Sequence, residues 1–352
     1  ADGISVTDRP EIVHVGRAGD IPGGMTQVIN AYVRWPFRRT SVSVLESRGD
    51  PGDHLTAFRL WVGALWRVSR LPRRDLALVV HLSERGSFIR EGSLARLAAA
   101  RGIPVIAHLH GSEFVEFASA HPRLVGGVLR ASTKVITLSE ETSSVCERFI
   151  DASRIELVPN AIPAGAGEAK TPIIVFGGVV SERKGIDVLQ EAWRPIAAAY
   201  PDWSLAIAGP IRDHHLVDRE IPGVTFLGSV PHAELMGLLE SAAIAVLPSR
   251  DEAMPMFLLE AMARRCCCVS TTVGGIPPLL SDGSGMLVPP GDADALRRAL
   301  EELMDDDAAR GRIAEAGHRR FMSGYSAEAI YPRVEQIWLD AVNGTAAPSS
   351  QP

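Results

Sequence analysis

The sequence predicts an α/β protein built from two doubly wound, Rossmann-like domains in tandem, with the carboxyl edges of their parallel sheets facing across a cleft. Three observations predict it. At 352 residues the chain is longer than a single hydrophobic core usually grows, so two cores are expected. Short apolar runs alternate with helical or polar segments, which is the signature of βαβ units. That alternation occurs twice, on either side of a Gly/Ala/Pro-rich stretch with no periodicity.

In the first alternation the strands are expected at Ile12–Val15, Ser41–Leu45, Leu76–Val80, Val105–Ala107, Lys134–Leu138 and Ile155–Val158. They define an N-terminal domain over residues 11–160. Residues 161–172 read as the linker, because Gly, Ala and Pro recur there without a helical or strand period. The second alternation places strands at Ile173–Phe176, Leu205–Ala208, Val224–Phe226, Ala243–Leu247, Cys267–Ser270 and Met286–Val288, in a domain over 173–325. Residues 326–343 form an amphipathic segment with Ile330, Val334, Ile337, Trp338 and Val342 to one side. Residues 1–10 and 344–352 read as disordered.

Composition narrows the function classes. Hydrophobic residues make up 46% of the chain, enough for both cores, and no apolar run approaches the roughly 20 residues that cross a bilayer. The first ten residues lack a basic-then-apolar secretory pattern, so a cytoplasmic protein is expected, one able to sit at the inner face of a membrane. Residues 1–160 carry a net charge of +3 and residues 161–352 a net charge of −9, consistent with the total of −6. A bias this mild suits an anionic acceptor or a membrane surface and is too weak for nucleic acid. Of four cysteines, three are adjacent at Cys266–Cys268, which fits neither a disulfide framework nor a zinc-site spacing; they read as small core residues of a strand.

The most informative segment runs from Ser249 to Ala263 and carries Glu252 and Glu260. A buried parallel strand precedes it and a helix starting near Pro255 follows. A strand that turns into a helix offers free N–H groups and a positive dipole end at the sheet's carboxyl edge, where such folds bind phosphate. Glu252 then lies in the loop beside the anion and Glu260 inside the helix, and two carboxylates there suit the hydroxyls of a sugar nucleotide. Upstream, Gly177 and Gly178 at a strand tip are followed by Arg183 and Lys184 at the expected start of a helix, where two cations oppose the dipole unless an anion sits between them. Such a pair could neutralise the charge that grows on a departing diphosphate. In the first domain Gly23 and Gly24 allow close backbone approach, although Gly16, Gly19, Gly23 and Gly24 do not make the Gly-x-Gly-x-x-Gly dinucleotide spacing. His110, after the fourth strand, could serve as donor or base.

Together these segments resemble the family-four glycosyltransferases, retaining enzymes with the two-Rossmann-domain GT-B fold. The resemblance is patchy over 11–160 and nearly continuous from Phe176 to Leu303. It rests on Gly23-Gly24, His110-Gly111, Val158-Pro-Asn160, Gly177 to Gly185, Phe226-Leu-Gly228, the glutamate pair with Leu259-Glu-Ala-Met-Ala263, Gly274-Gly-Ile-Pro277 and Gly285-Met-Leu-Val288. The resemblance implies that Arg183 and Lys184, beside Gly178, bind a nucleoside diphosphate without a metal. It implies that Glu260 holds the ribose and that Gly228, Ser229 and Val230 flank the base. Glu252 and the backbone of Ala253, Met254, Met256 and Phe257 would contact the donor sugar, with Gly23, Gly24 and His110 completing the site. Where many members have Gly-Phe-Gly after the first glutamate, this chain has Ala253-Met254-Pro255, and Pro255 has no N–H to donate.

The expected activity is metal-independent transfer of a hexose from a nucleoside-diphosphate sugar to a cell-envelope, polysaccharide or small-molecule acceptor. The nucleotide sugar serves as co-substrate, with no cofactor and no metal. Glu252, His110, Arg183 and Lys184 are the expected catalytic groups, and alanine at either cation should leave stability nearly unchanged. The rival readings are a non-catalytic subunit that binds sugar nucleotides and a GT-B epimerase acting on the nucleotide sugar. The segment His54–Leu71 is expected to be a helix burying Leu55, Phe58, Val62 and Leu65. Arg59, Trp66, Arg67 and Arg70 share another face, a composition suited to anionic lipid and a lipid-linked acceptor. An ordinary solvated face with Trp66 packed on a neighbour is the alternative.

Overall fold

A computed structural model describes residues 9–19, 24–48, 54–167 and 169–344, and they fall into two compact units. The first holds the described parts of residues 1–19, 25–160 and 330–352. Its elements run β1 (Glu11–Gly16), α1 (Gly24–Arg34), β2 (Ser41–Glu46), α2 (His54–Val68), β3 (Leu76–Leu82), α3 (Gly86–Ala100), β4 (Val105–Leu109), α4 (Phe114–Ala120), α5 (Pro122–Ala131), β5 (Lys134–Thr137), α6 (Glu140–Cys146) and β6 (Ile155–Leu157). The strands form one parallel sheet in the order β2-β1-β3-β4-β5-β6. Helices cover both faces of such a sheet, so its central strands must be apolar throughout rather than alternating. All seven residues of β3, Leu-Ala-Leu-Val-Val-His-Leu, are buried accordingly.

The second unit holds the described parts of residues 161–329. After an irregular stretch anchored by Lys170, whose ammonium donates to the carbonyls of Leu239, Glu240 and Arg264 at 2.7–3.0 Å, the elements repeat the same logic. They are β7 (Thr171–Gly177), α7 (Ile186–Ala199), β8 (Ser204–Ala208), β9 (Val224–Gly228), α8 (His232–Ser241), β10 (Ala242–Leu247), α9 (Met256–Ala263), β11 (Cys267–Thr271), α10 (Ile276–Leu279), β12 (Met286–Val288), α11 (Ala293–Asp305) and α12 (Asp307–Gly324). The parallel sheet has the order β12-β11-β10-β7-β8-β9. All twelve expected strands are present. Cys266, Cys267 and Cys268 are buried free thiols at and in β11, and burial pushes the Cys267 thiol up to about 12.

The last helix, α13 (Ala327–Asn343), packs with the first unit from Ile330 onward. Its buried side is Tyr331, Val334, Ile337, Trp338 and Ala341, with Ile330 and Val342 only half-buried, so the stripe is rotated from the one expected. Trp338 and Tyr331 are large rings that fill space against Phe37 at centroid distances of 4.8 and 5.6 Å, which fixes the rotation. On the same side Glu335 is buried. One of its oxygens accepts from the backbone N–H of Arg39 at 2.8 Å and from the N–H and hydroxyl of Thr40 at 3.0 Å each.

The expected face of α2 is corrected by the structure. Leu55, Phe58 and Val62 are 71%, 57% and 44% exposed, whereas Ala64 and Val68 are buried and Trp61 and Leu65 pack partly against the core. The helix is apolar on more than one side, so its 3.6-residue period could not choose between two stripes.

Glu335→Ala leaves two backbone N–H groups and a buried hydroxyl without their acceptor and should cost about 2–4 kcal/mol. Urea unfolding monitored by tryptophan fluorescence measures this, and a loss under about 0.5 kcal/mol would show that the carboxylate does not hold α13 in place.

Candidate functional site

In the second unit the chain runs from β7 outward through β8 and β9, then returns to the other side of β7 with β10. The carboxyl ends of β7 and β10 therefore diverge at a topological switch point, where open α/β sheets bind ligands. Gly177 ends β7, with Gly178 following, and a 3-10 turn at Glu182–Lys184 comes before α7. Arg183 and Lys184 thus precede the helix rather than starting it. Gly185 breaks the chain between them with φ 71°, where a Cβ would run into the carbonyl of Pro248, and Asp187 occupies the first turn of α7.

Beyond β10 the loop Pro248–Pro255 folds onto these cations. Lys184 Nζ pairs with Glu252 Oε1, and Ser249 Oγ donates to the same oxygen at 2.8 Å. Glu252 is buried rather than solvated. Arg183 Nη1 donates to the Asp251 carbonyl at 2.8 Å and lies 3.9 Å from the Asp251 carboxylate. The strands of this knot are tied by Arg250, whose N–H donates to the Arg183 carbonyl at 2.8 Å and whose guanidinium holds both oxygens of Asp187 at 2.8 and 2.6 Å. Gly274, at φ 50°, closes the far side, where any Cβ would collide with the Glu252 carbonyl, and the next N–H, of Gly275, donates to that carbonyl at 3.2 Å.

Pro255 is the N-cap of α9 rather than its first residue, and it offers no side-chain cap. The first-turn N–H groups of α9 are those of Met256 and Phe257, which are buried, while Ala253 and Met254 lie half-buried in the preceding loop. Glu260, the fifth residue of α9, is also buried, and its Oε1 meets His232 Nε2 at 2.8 Å. His232 opens α8, one residue past Gly228, Ser229 and Val230, so that pair joins the expected base-flanking loop to the expected ribose carboxylate. The sequence reading missed His232, Ser249, Arg250 and Asp187. The only available signal was the Asp-Val and Pro-His dipeptides just after two Gly-terminated strands.

Gly24 starts α1, whose residues from Met25 onward belong to the first unit, and Gly23 lies outside the described residues. His110 follows β4 and is half-buried. It is no isolated histidine. His14 Nδ1 meets His81 Nε2 at 2.8 Å and His81 Nδ1 meets His110 Nε2 at 2.9 Å, with the His108 ring tilted against that of His110 at a centroid distance of 4.1 Å. The register explains the cluster, since His14 pairs with Val79 and His81 with His108 on adjacent central strands. Burial lowers the basicity of all four rings, to about 3 for His14 and His108, so they are neutral near pH 7.

With this geometry in place, comparison with known proteins defines the class. The model named Glycosyltransferase Family 4 matches residues 28–165, and that named Glycosyl transferases group 1 matches residues 171–306. The chain belongs to the family-four, group 1 glycosyltransferases. It is 26% identical to a glycogen synthase of Mycobacterium tuberculosis over 285 residues, covering 72% of this chain and 67% of that one. It is 30% identical over 178 residues to a GDP-mannose-dependent monoacylated alpha-(1-6)-phosphatidylinositol monomannoside mannosyltransferase of Corynebacterium glutamicum, covering 47% of each. In fold it is similar to Anabaena HepE, solved in complex with UDP and glucose, with a TM-score of 0.71 and 16% identity over 93% of this chain and 99% of that one. The two-sheet architecture is GT-B.

The pairing of Lys184 with nearly buried Glu252 changes one expectation. Lys184→Ala should not be neutral to folding, because it strands a buried carboxylate, at a cost of about 3 kcal/mol. Adding Glu252→Gln should recover most of that loss in chemical denaturation. Equal stabilities for the wild type and Lys184→Ala would show that the pair contributes nothing to the fold.

Proposed function

We propose that the protein is a retaining glycosyltransferase that moves a hexose from a nucleoside-diphosphate sugar to a lipid-linked acceptor at an anionic membrane surface. The observation that carries the donor half is the convergence of Arg183, Lys184, Ser249 and Glu252 where β7 and β10 part. A diphosphate arriving there takes over Lys184 from Glu252 and adds the guanidinium of Arg183. Both cations then face the oxygens on which charge grows as the bond from the sugar C1 to the phosphate breaks. Released from Lys184, Glu252 is available to the sugar hydroxyls together with the N–H groups at the start of α9. Glu260, oriented by His232, accepts from the ribose hydroxyls. No divalent metal is needed to neutralise the diphosphate, because two side-chain cations do so. The acceptor oxygen attacks C1 on the face the diphosphate leaves, and its proton passes to the departing phosphate oxygen. His110 keeps its place as the first unit's donor or base.

The acceptor half rests on α2. Leu55, Phe58, Val62 and Trp66 are exposed and fall on one stripe, and the guanidinium of Arg70 lies 3.9 Å over the Trp66 ring. Arg59, Arg67, Arg70, Arg73 and Arg74 are exposed around it. An apolar stripe bordered by arginines fits the headgroup region of an anionic bilayer, each cation contributing about 1 kcal/mol there. No helix among the described residues is long and apolar enough to cross a membrane, so this contact is a surface one. The Corynebacterium glutamicum relative, named for a phosphatidylinositol mannoside substrate, supports a lipid acceptor.

Three measurements test this reading. Arg183→Ala should lower kcat by about 10²–10³ with native-like melting, and near-normal turnover would remove it from leaving-group stabilisation. Glu260→Gln should weaken donor binding while Glu252→Gln lowers turnover more than binding, and equal effects on binding would show the roles are misassigned. Chelators should leave turnover intact in both. Full-length protein should co-sediment with anionic vesicles at low salt and be released at high salt. Phe58→Ser with Trp66→Ser, or Arg67→Glu with Arg70→Glu, should abolish binding, and retention in both pairs would sink the membrane half.

A further inference from the structure

The histidine cluster of the first unit holds more chemistry than a transferase needs. His14, His81 and His108 are essentially fully buried, His110 is half-buried, and one ring nitrogen from each of His81, His108 and His110 lies within 4.8 Å of the others. Hydrogen bonding accounts for His81 and His110 but not for His108. Both His108 ring nitrogens are buried with no hydrogen-bond partner among the described residues, although a neutral imidazole has one donor and one acceptor to satisfy. A buried polar group in that position needs an explanation beyond packing.

We propose that His81, His108 and His110 form a binding site for a borderline transition-metal ion of the zinc class, with one coordination position left open toward the exposed edge of His110. Three neutral imidazoles converging from β3, β4 and the turn after β4 are the donor set that suits zinc, cobalt and nickel, whereas magnesium and calcium prefer oxygen. The lone pair of His108 is taken up on binding, which removes its unpartnered state. His14 supplies the orienting contact that metal-bound histidines usually have. When His81 Nε2 donates to His14 Nδ1 at 2.8 Å, the His81 proton is fixed on the far nitrogen and the Nδ1 lone pair faces His110. Binding then replaces the 2.9 Å bond between His81 Nδ1 and His110 Nε2 with two bonds to the ion, and His110 moves its proton to Nδ1. The half-exposed His110 gives the ion its route in. Occupancy ties up the one histidine of the cluster that reaches solvent.

The test uses the full chain after treatment with a chelator, titrated with Co2+ and followed by visible absorption and calorimetry. One ion per chain is expected, with the intense visible band of a low-coordinate site, displaced by Zn2+ and unaffected by a large excess of Mg2+. His108→Gln, which breaks no hydrogen bond seen in the fold, should weaken Co2+ binding by at least about tenfold with unchanged circular dichroism, and His110→Asn should do the same. The adjacent surface pair His214 and His215 is the control, and changing both to alanine should leave binding intact. Absence of a one-to-one site overturns the proposal. So does binding that survives both His108→Gln and His110→Asn, or binding that disappears with His214 and His215.

Discussion

The second unit's site depends on a carboxylate that the fold takes out of water. Glu252 is buried at the end of β10, and a charge in that position persists only with a compensating cation and hydrogen bonds. Lys184 and Ser249 supply both. Because Lys184 comes from the end of β7 and Ser249 from the end of β10, satisfying one oxygen joins the two strands that part at the switch point. The rest of the loop follows from that constraint. Asp187 and Arg250 hold the two segments in register, and Gly274 is the residue that can approach the Glu252 carbonyl without a Cβ. A ligand that competes for Lys184 therefore acts on a preorganised element, since it can release Glu252 without moving the backbone that carries it.

The two buried glutamates are held differently, and the difference has chemical content. Glu252 is paired with a permanent cation, so displacing it needs an anion of comparable charge. Glu260 meets the His232 imidazole at 2.8 Å, and a hydroxyl can share that oxygen without displacing a lysine. On the proposed reading, a diphosphate at the first and a ribose at the second would meet those demands in sign. Ala253-Met254-Pro255 between them alters the local donors, because the prolyl nitrogen cannot contribute and α9 begins one residue later.

Most of the fold was legible because parallel strands are apolar throughout and their helices are bounded by Gly and Pro, so twelve strands could be placed from composition alone. Glu252, Arg183 and Lys184 could be singled out because charge just beyond an apolar strand is conspicuous, and Glu260 because it interrupts the apolar run of α9. Their partners could not. His232 sits 28 residues from Glu260 and Asp187 63 residues from Arg250, so only the sheet order brings these pairs together, while Ser249, three residues from Glu252, is an ordinary loop serine until the loop folds. The same limit hid the histidine cluster. His14, His81 and His108 lie on three strands, with His110 just after the last of them, and their adjacency depends on β3 pairing between β1 and β4.

Helix faces were the harder problem, and α2 and α13 show why. A period of 3.6 residues identifies a helix, but it identifies a face only when one side alone is apolar. In α13 Val334, Ile337 and Trp338 face inward as expected, but the Tyr331 ring takes an inward position while Ile330 and Val342 stay half-buried, and Glu335 joins the buried side by accepting hydrogen bonds from Arg39 and Thr40. In α2 two apolar stripes compete. The one carrying Ala64 and Val68 is small enough to lie close to the sheet-side core, and Leu55, Phe58, Val62 and Trp66 are left outside. Four large apolar residues exposed on one stripe of a helix that also carries arginines are costly in water, and they form the face on which the proposed membrane contact rests. Packing within the first unit, rather than the composition of the helix taken alone, thus decides which side of α2 is left exposed.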